Sequence, residues 1–340
     1  MATYLVTFTP REPYFFGNEK NFLHPGHNAV SQTANAYFIR SETVPSQTTL
    51  FGALRYLLLP VKKARWSEYD PAELTRNSEA VGEASFCYGE QRTFGKIRSI
   101  SPMVLMDDNR EIYVVTPFDH IHGKKTYTPF TEYGSVTTPQ GERLYAKEFN
   151  AKDGVEHSYM HLKSGNIVKP DTLFHRETRV GIKRLATTNG FFKKEYVRPA
   201  DGYCFAVYLT LEDGHGLDDQ LCDQTVFLGQ GRSLFTVHFE KCEKDDPWKD
   251  VENDIRKHLR DGMHYCVSDA FVSDTVYDNA TFSATAVRDH RSYTTDCNGR
   301  VSKHPVLYKL ICAGSVFQGD NVTACFTNEN AETVGFNHIV

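Results

Sequence analysis

The alternation of apolar and polar residues predicts a chain built mainly of short β-strands. Residues 4–8 alternate, with every second side chain apolar, which is typical of a strand that buries one face. Residues 97–105 and 111–116 are predicted as two further short strands. Residues 203–211 are apolar on both faces, which indicates a central strand covered from both sides.

One segment carries the clearest helix signal in the chain. Ser46 or Thr48 can cap the helix, because a side-chain oxygen at the cap accepts a hydrogen bond from the first turn. The apolar stripe that follows has helical spacing and consists of Leu50, Leu54, Leu57 and Leu58. Pro60 ends the helix, since proline cannot donate the next backbone hydrogen bond.

The elements up to residue 240 follow a recognisable order. After the central strand, a short helix or turn around residues 217–223 leads into a strand at residues 233–239. The order of strand, helix, strands, short helix and strand is typical of a ferredoxin-like domain. Residues 117–175 form a long, weakly periodic insertion, with a hairpin predicted around residues 150–154. Such insertions in compact domains are usually functional or mobile.

The last hundred residues predict a second, smaller unit. Its predicted elements are a helix over residues 248–260 and strands over residues 263–272, 281–287 and 306–317. We therefore expect an α+β protein of two domains. Residues 1–240 would form the N-terminal ferredoxin-like domain with its insertion and a glycine-rich loop, and residues 241–340 the smaller α+β domain.

The composition is that of an ordinary globular protein. Of 340 residues, 40% are hydrophobic and 24% charged, and the longest apolar stretch is broken by Arg55 and Pro60, so we expect no membrane span. The N-terminus lacks the features of a signal peptide, which favours a cytoplasmic location. The eight cysteines never lie closer than 13 residues, which predicts reduced core thiols rather than a metal site.

Charge is distributed unevenly along the chain. The net charge of −5 argues against a protein that coats nucleic acid through bulk electrostatics. Residues 176–198, however, hold seven basic side chains against two acidic ones, whereas residues 240–254 are strongly acidic. Such a basic patch can hold one polyanion while the acidic surface meets protein partners. Two solvated faces of opposite sign explain the charges equally well.

A glycine-rich loop precedes the strand at residues 233–239. It contains Gly229, Gly231 and Arg232, and we call residues 229–232 the glycine loop. Successive N–H groups in such a turn can form a concave anion site, and Arg232 adds a bidentate phosphate donor. A Rossmann or P-loop motif requires strand, glycine loop and helix in that order, so a mononucleotide fold is excluded. The loop indicates either a polyanion cradle or a plain tight turn.

Five segments in order resemble the RAMP superfamily of CRISPR-associated proteins. They are Phe8–Gly17, Pro45–Arg55, Arg179–Lys183 with Phe191–Glu195, the glycine loop, and Ala313–Phe317. More narrowly, they resemble the subunit that holds the 5′ handle of the guide RNA in type III-B (Cmr) effector complexes, with the Csm counterpart second. The likeness spans nearly the whole chain.

The resemblance implies two ferredoxin-like (RRM-like) domains, with long insertions in the first, and a glycine loop that lies against the guide RNA. It implies a subunit without catalysis, and we expect neither a cofactor nor a metal. The implied partners are the guide RNA with its 5′ handle, the large polymerase/cyclase-type subunit and a backbone RAMP subunit of the filament.

Ten residues are the candidate RNA contacts. Thr48 and Thr49 lie at a helix N-terminus, where N–H groups and the dipole favour phosphate, although they can also serve only as caps. Arg55 lies about 140° around the helix from Leu50, which leaves it facing a ligand or partner. The others come from the basic patch and the glycine loop, and they are Arg179, Lys183, Arg184, Gly229, Gln230, Gly231 and Arg232.

Two other functions stay open at this point. The fourteen histidines invite the interpretation of a guide-processing endoribonuclease, since histidine serves as a general acid or base. The candidates are His24, His27, His157, His161 and His175, and none of them forms a fixed motif with a partner base. The third hypothesis is a protein scaffold that touches no RNA.

Overall fold

The computed structural model of the protein describes residues 1–17, 37–150, 152, 154–184, 189–212, 217, 223–295 and 301–340. The strands are β1 (Ala2–Pro10), β2 (Tyr37–Arg40), β3 (Ile97–Ile100), β4 (Val104–Asp107), β5 (Ile112–Val115), β6 (Tyr133–Thr138), β7 (Gly141–Ala146), β8 (Tyr159–His161), β9 (Ile167–Val168), β10 (Phe174–Arg184), β11 (Asn189–Pro199), β12 (Tyr203–Leu211), β13 (Asp223–Leu228), β14 (Ser233–Lys241), β15 (Met263–Tyr265), β16 (Phe282–Ala284), β17 (Val287–His290), β18 (Tyr293–Thr295), β19 (Val301–Lys303), β20 (Tyr308–Ile311) and β21 (Val316–Gln318). The helices are α1 (Gln47–Leu57), α2 (Pro71–Val81), α3 (Pro170–Leu173), α4 (Trp248–Arg256), α5 (Thr275–Asn279) and α6 (Glu329–Thr333), with 3₁₀ turns at Trp66–Glu68 and Thr323–Phe326. The protein is therefore mixed α/β, rich in sheet and poor in helix.

The largest sheet is antiparallel and runs in the order β13-β14-β1-β12-β4-β5-β8-β9, with β3 also paired to β12. β1 lies inside it, because Val6 is opposite Val207 of β12 on one side and Phe239 of β14 on the other. The strands that the sequence predicts around residues 4–8, 111–116, 203–211 and 233–239 are confirmed, and the one predicted over 97–105 is divided into β3 and β4; all of them belong to this sheet.

Both faces of this sheet are buried. Val6 of β1 belongs to a hydrophobic cluster that includes Leu50 of α1, whereas its neighbour Leu5 belongs to a cluster that includes Trp248 of α4. Successive residues of a strand point to opposite faces, so α1 and α4 pack on opposite sides of the sheet. Each cluster combines residues from before and after residue 240, and the domain boundary there stays a prediction.

α1 begins where the sequence predicts. Ser46 is the N-cap, and its Oγ accepts a hydrogen bond of 3.3 Å from the backbone N–H of Thr49. The helix buries Leu50, Leu54 and Leu57 of the predicted stripe, which fixes its apolar face on the sheet.

The sequence predicts no secondary structure for the basic stretch at residues 176–198. In the structure this stretch belongs to a long hairpin of β10 and β11. β10 and β11 pair along their whole length, with Arg179 opposite Lys194. β2 adds to the other edge of β11 in parallel, with Ile39 opposite Lys194. Charged residues occupy both faces of the two strands, which hides the apolar alternation that would have indicated them.

The insertion at residues 117–175 is more ordered than the sequence predicts. Its hairpin is formed by β6 and β7 and not by strands around residues 150–154, of which 151 and 153 lie outside the described residues. β8 and β9 extend the main sheet beyond β5, so part of the insertion is structural. The helix or turn predicted at residues 217–223 lies, apart from its two end residues, outside the described part.

The C-terminal elements are shorter than predicted. α4 confirms the helix but ends at Arg256, and the three predicted strands are broken into short ones. β15, β21 and β16 form one small sheet, and β17 and β20 form another. Among the described residues, no helix is long and apolar enough to cross a membrane. Within the described ranges the cysteines are free thiols, and they are Cys87, Cys204, Cys242, Cys266, Cys312 and Cys325.

Candidate nucleic-acid interface

A groove of about 1090 Å³ lies between segments that are far apart in sequence. The start of α1, the loop between β13 and β14, and residues 286–293 around β17 all line it. Half of the predicted RNA contacts belong to its walls, and they are Thr48, Thr49, Arg55, Gly229 and Gln230.

The first turn of α1 faces the groove. The hydroxyl oxygens of Thr48 and Thr49 lie 3.1 and 2.8 Å from Oγ of Ser46, so both threonines do contact the cap. Among the hydrogen bonds of the described residues, none engages the backbone N–H groups of Gln47 and Thr48. These first-turn N–H groups and the positive end of the helix dipole favour an anion in the groove.

The side chain of Gln47 fixes the start of α1 to the sheet. Its Nε2 donates to the carbonyl oxygen of Ser101 at 2.7 Å, and its Oε1 accepts from the N–H of Met103 at 3.1 Å. Gly335 packs against the same amide, where a Cβ would lie 2.1 Å from Nε2. The first turn is therefore held in place by buried polar contacts, which the apolar stripe of the helix does not predict.

The glycine loop is held against the segment that follows β1. Gly229 has φ of 72°, and a Cβ there would lie 2.5 Å from the carbonyl oxygen of Phe15. The N–H of Gln230 donates to the same oxygen at 2.8 Å, and Nζ of Lys194 lies 3.5 Å from Gln230 Oε1. The loop is thus more than a plain tight turn, because it contacts two other segments.

Gly231 and Arg232 lie at the exposed end of the loop and do not line the groove. Arg232 adopts φ of 58°, which is unusual for a residue with a side chain. Its guanidinium carbon lies 5.2 Å from the ring centroid of Phe227, whose side chain is 55% exposed. Arginine beside an exposed aromatic ring is an arrangement that can stack on a nucleobase.

Arg55 lines the groove, but its guanidinium does not face it freely. Nε donates to the carbonyl oxygen of Val81 at 2.8 Å, and the terminal nitrogens donate to Gly82 O and Ser85 Oγ. Burial, together with Arg92, lowers the pKa of Arg55 to about 10. The expectation that Arg55 is oriented toward a ligand is corrected accordingly, because its donors hold the end of α2.

Of the three predicted contacts in β10, Arg179 is described in full, and it lies outside the groove lining. The Arg179 side chain is exposed, with Nε 2.7 Å from Glu177 Oε1 and the guanidinium 4.6 Å from the Tyr196 ring centroid. Lys183 and Arg184 end the strand, and their side chains lie outside the described part of the chain. β10 is an edge strand of its sheet, so Arg179 stands on an accessible surface next to the glycine loop's partner β11.

Sequence reasoning missed a basic wall of the groove. Arg288, Arg291 and Lys303 line it, together with Tyr293, which is 55% exposed. Asp269 forms an ion pair with Arg288, and Asp289 forms one with Lys309, so two of the acids in the lining are compensated. Nearby charges in residues 288–291 alternate in sign, and that run carries no signal of a binding site in the sequence.

The model of the CRISPR-associated protein family Cas_Cmr3 matches residues 6–279, which is most of the chain. The chain belongs to the Cas_Cmr3 family. No curated protein matches it. Among solved structures, a chain of the type III-B Cmr-beta complex bound to cognate target RNA is similar, with a TM-score of 0.54 at 12% identity over 99% of this chain and 96% of that one. A chain of the Csm3–Csm4 subcomplex of the type III-A interference complex gives a TM-score of 0.39 at 12% identity, over 94% and 93%.

The candidate histidines of this Cas_Cmr3 family member are scattered. His24 and His27 lie outside the described residues, and His157 lines the groove with its ring 5.4 Å from that of Phe118. His161 lies instead on β8, where it contacts Glu111 and Ser164. The described residues thus bring no two of the five candidate histidines together in the groove.

Proposed function

We propose that this Cas_Cmr3 family member is a non-catalytic RNA-binding subunit of a type III CRISPR effector ribonucleoprotein. It anchors the 5′ repeat-derived handle of the guide RNA and joins the large polymerase/cyclase-type subunit to the backbone filament. One observation carries the proposal: the first turn of α1 and the glycine loop, about 180 residues apart in sequence, line the same groove.

The chemistry of the groove suits a single-stranded, irregular RNA. Such an RNA is bound through its phosphates, its riboses and its splayed bases. The first-turn N–H groups of α1 supply anion donors, and Arg291 and Lys303 add positive charge, whereas Asp269 balances the charge of Arg288. Tyr293 in the groove and Phe227 beside the glycine loop offer exposed rings for stacking.

The fold of the first 241 residues supports the proposal. The antiparallel order β14-β1-β12-β4, with α1 following β1 in sequence, is the arrangement that a ferredoxin-like domain would give. A second ferredoxin-like domain after residue 240 remains part of the proposal. The similar type III-B chain comes from a complex that is described as bound to target RNA.

Binding of an RNA that carries the 5′ handle of the host's CRISPR repeat tests the proposal. The double variant Lys303→Ala/Arg232→Ala is compared with Arg110→Ala, whose guanidinium pairs with Glu240 away from the groove. We expect the RNA affinity of the double variant to be lower by about tenfold or more. The slope of log K against log salt should also become less steep, by about 0.7 for each phosphate contact that is lost. The control should retain wild-type binding. An equal affinity for the double variant and the wild type would remove the groove from the interface.

Catalysis is tested with the same protein. The full chain is incubated with unprocessed repeat RNA in the absence of metal, and the products are separated by size. We expect the RNA to stay intact. A discrete product that disappears in His157→Ala, the candidate histidine in the groove, would replace the anchoring role with guide processing.

A further inference from the structure

Three potential metal ligands lie close together, and none of them lines the RNA groove. Cys87 and Glu90 come from the loop after α2, and His304 comes from the segment between β19 and β20. One ligand atom from each residue lies within 4.8 Å of the other two. We propose that Cys87, Glu90 and His304 form a zinc site that ties these two segments together.

The ligand types and their local geometry fit this ion. Zn²⁺ prefers a thiolate, an imidazole and a carboxylate, and a three-ligand set leaves a fourth position for water or another donor. Cys87 and Glu90 flank a tight turn, in which the N–H of Glu90 donates to the carbonyl oxygen of Cys87 at 3.3 Å. Gly89 permits this turn with φ of 88°. The turn aims both side chains to the same side, as short chelating loops do.

Contacts from other elements hold both halves of the proposed site. Asn330 of α6 donates from Nδ2 to the carbonyl oxygens of Cys87 and Glu90, at 3.2 and 2.6 Å. The N–H of His304 donates to the carbonyl oxygen of Ser292 at 2.8 Å. Nδ1 of His304 accepts from the N–H of Val306 at 3.3 Å, which leaves Nε2 as the natural ligand atom.

The charges around the site are compatible with a bound cation. Glu90 forms an ion pair through Oε2 with Arg92, so its second oxygen is the one that would bind zinc. Burial, followed by the Glu90 carboxylate, raises the pKa of the Cys87 thiol. A bound cation opposes both effects, since it stabilises the thiolate directly. A thiolate and a carboxylate together balance the charge of Zn²⁺, and Arg92 stays outside the first coordination sphere.

The site would stiffen one end of the groove without depending on RNA. Ser85 and Phe86 precede Cys87 in the groove lining, and Lys303 precedes His304. A metal that joins Cys87 to His304 therefore fixes two pieces of the groove wall relative to each other. The zinc site can exist whether or not the proposed RNA role is correct.

Cobalt substitution tests the site on the full chain. The protein is treated with chelator, and Co²⁺ is added while the near-ultraviolet thiolate-to-cobalt charge-transfer band is recorded. We expect one Co²⁺ per chain with that band, and its loss in Cys87→Ser but not in Cys325→Ser, whose half-buried thiol contacts Asn279 and Asn321 instead. Competition with zinc should show an affinity lower by about tenfold or more for His304→Ala and for Glu90→Gln.

The variants His304→Ala and Glu90→Gln separate a loss of metal binding from a loss of folding. Glu90 is exposed and His304 is half-buried, so neither substitution disturbs a core, and far-ultraviolet circular dichroism should match that of the wild type. Absence of the band in the folded wild-type chain would overturn the proposal. So would a band that survives Cys87→Ser, or zinc affinities of His304→Ala and Glu90→Gln that equal the wild-type value.

Discussion

The backbone N–H of Gln230 donates a hydrogen bond of 2.8 Å to the carbonyl oxygen of Phe15, which joins the glycine loop to the segment after β1. The side chain of Phe15 is almost fully buried, and Nζ of Lys194 lies 5.0 Å from its ring centroid. The glycine loop, the segment after β1 and β11 therefore meet at one point. This junction holds the glycine loop at the edge of the groove.

Gly229→Ala should disturb this junction, whereas Gly231→Ala should not. A Cβ on Gly229 meets the Phe15 carbonyl at 2.5 Å, while a Cβ on Gly231 meets nothing within 4 Å. Both glycines have positive φ, of 72° and 107°, so both variants carry backbone strain, and only Gly229→Ala adds the steric contact. We expect losses in the free energy of unfolding of about 3 kcal/mol for Gly229→Ala and about 1 kcal/mol for Gly231→Ala, measured by urea denaturation. Equal losses would show that the contact with Phe15 is unimportant.

Gln47→Leu should destabilise the start of α1 despite its similar size. The variant leaves the carbonyl oxygen of Ser101 and the N–H of Met103 buried without their partner. We expect a loss of about 3 kcal/mol in the free energy of unfolding. Gln140→Leu, in the exposed turn between β6 and β7, is the matched control and should change stability by less than about 0.5 kcal/mol. A Gln47 variant as stable as this control would contradict the anchoring role.

Arg55→Lys should cost stability even though the charge is retained. Lysine cannot reproduce the fork that reaches Val81 O, Gly82 O and Ser85 Oγ at once. We expect the free energy of unfolding to fall by about 2 kcal/mol, with a matching fall in melting temperature. The same change at exposed Arg65, whose side chain is 81% exposed, should be neutral. If Arg55→Lys and Arg65→Lys have the same melting temperature, the contacts of Arg55 with α2 do not stabilise the fold.

Because of Asp119, the free energy of unfolding should fall as the pH rises from about 4 to about 6. Burial raises the pKa of its carboxyl from the ordinary 3.8 to about 6, against the opposing hydrogen bond from the Tyr127 hydroxyl at 2.7 Å. The folded state then binds the proton more tightly than the unfolded state, so its stabilising effect is complete below the unfolded pKa and is lost as pH rises through 6. The displacement corresponds to about 3 kcal/mol.

The measurement is the difference in unfolding free energy between wild type and Asp119→Asn across this pH range. The asparagine keeps an oxygen that accepts from Tyr127, but it does not ionise. We expect the wild type to lose stability relative to the variant as pH rises. A difference that is constant with pH would mean that Asp119 does not titrate abnormally.

Much of the fold follows from local sequence. β1, β12 and β14 carry apolar alternation or continuous apolar runs, and α1 has a capping serine before an apolar stripe. Periodicity identifies these elements because each one buries a regular face. The apolar pattern does not reveal the hairpin of β10 and β11, since charged residues stand on both of its faces.

The candidate groove divides in the same way. The glycine loop and the capped helix can be recognised in the sequence as separate motifs. Each of them is accounted for without a ligand, as a turn or as a helix cap. Arg288, Arg291 and Lys303 carry no motif. The group of Cys87, Glu90 and His304 carries none either, because His304 lies more than 200 residues from the other two. Spacing along the chain finds metal ligands only where they are close in sequence.

The sequence by itself determined the strands with a regular buried face, the start of α1 and the existence of a glycine loop before β14. Tertiary structure alone decided that α1 and the loop line one groove, that Arg55 holds α2, and that Arg232 stands outside the groove lining. The physical reason is that periodicity and capping are local properties of a few neighbouring residues. Which side chains share a groove depends instead on how the strands between them pair, and no local pattern specifies those pairings.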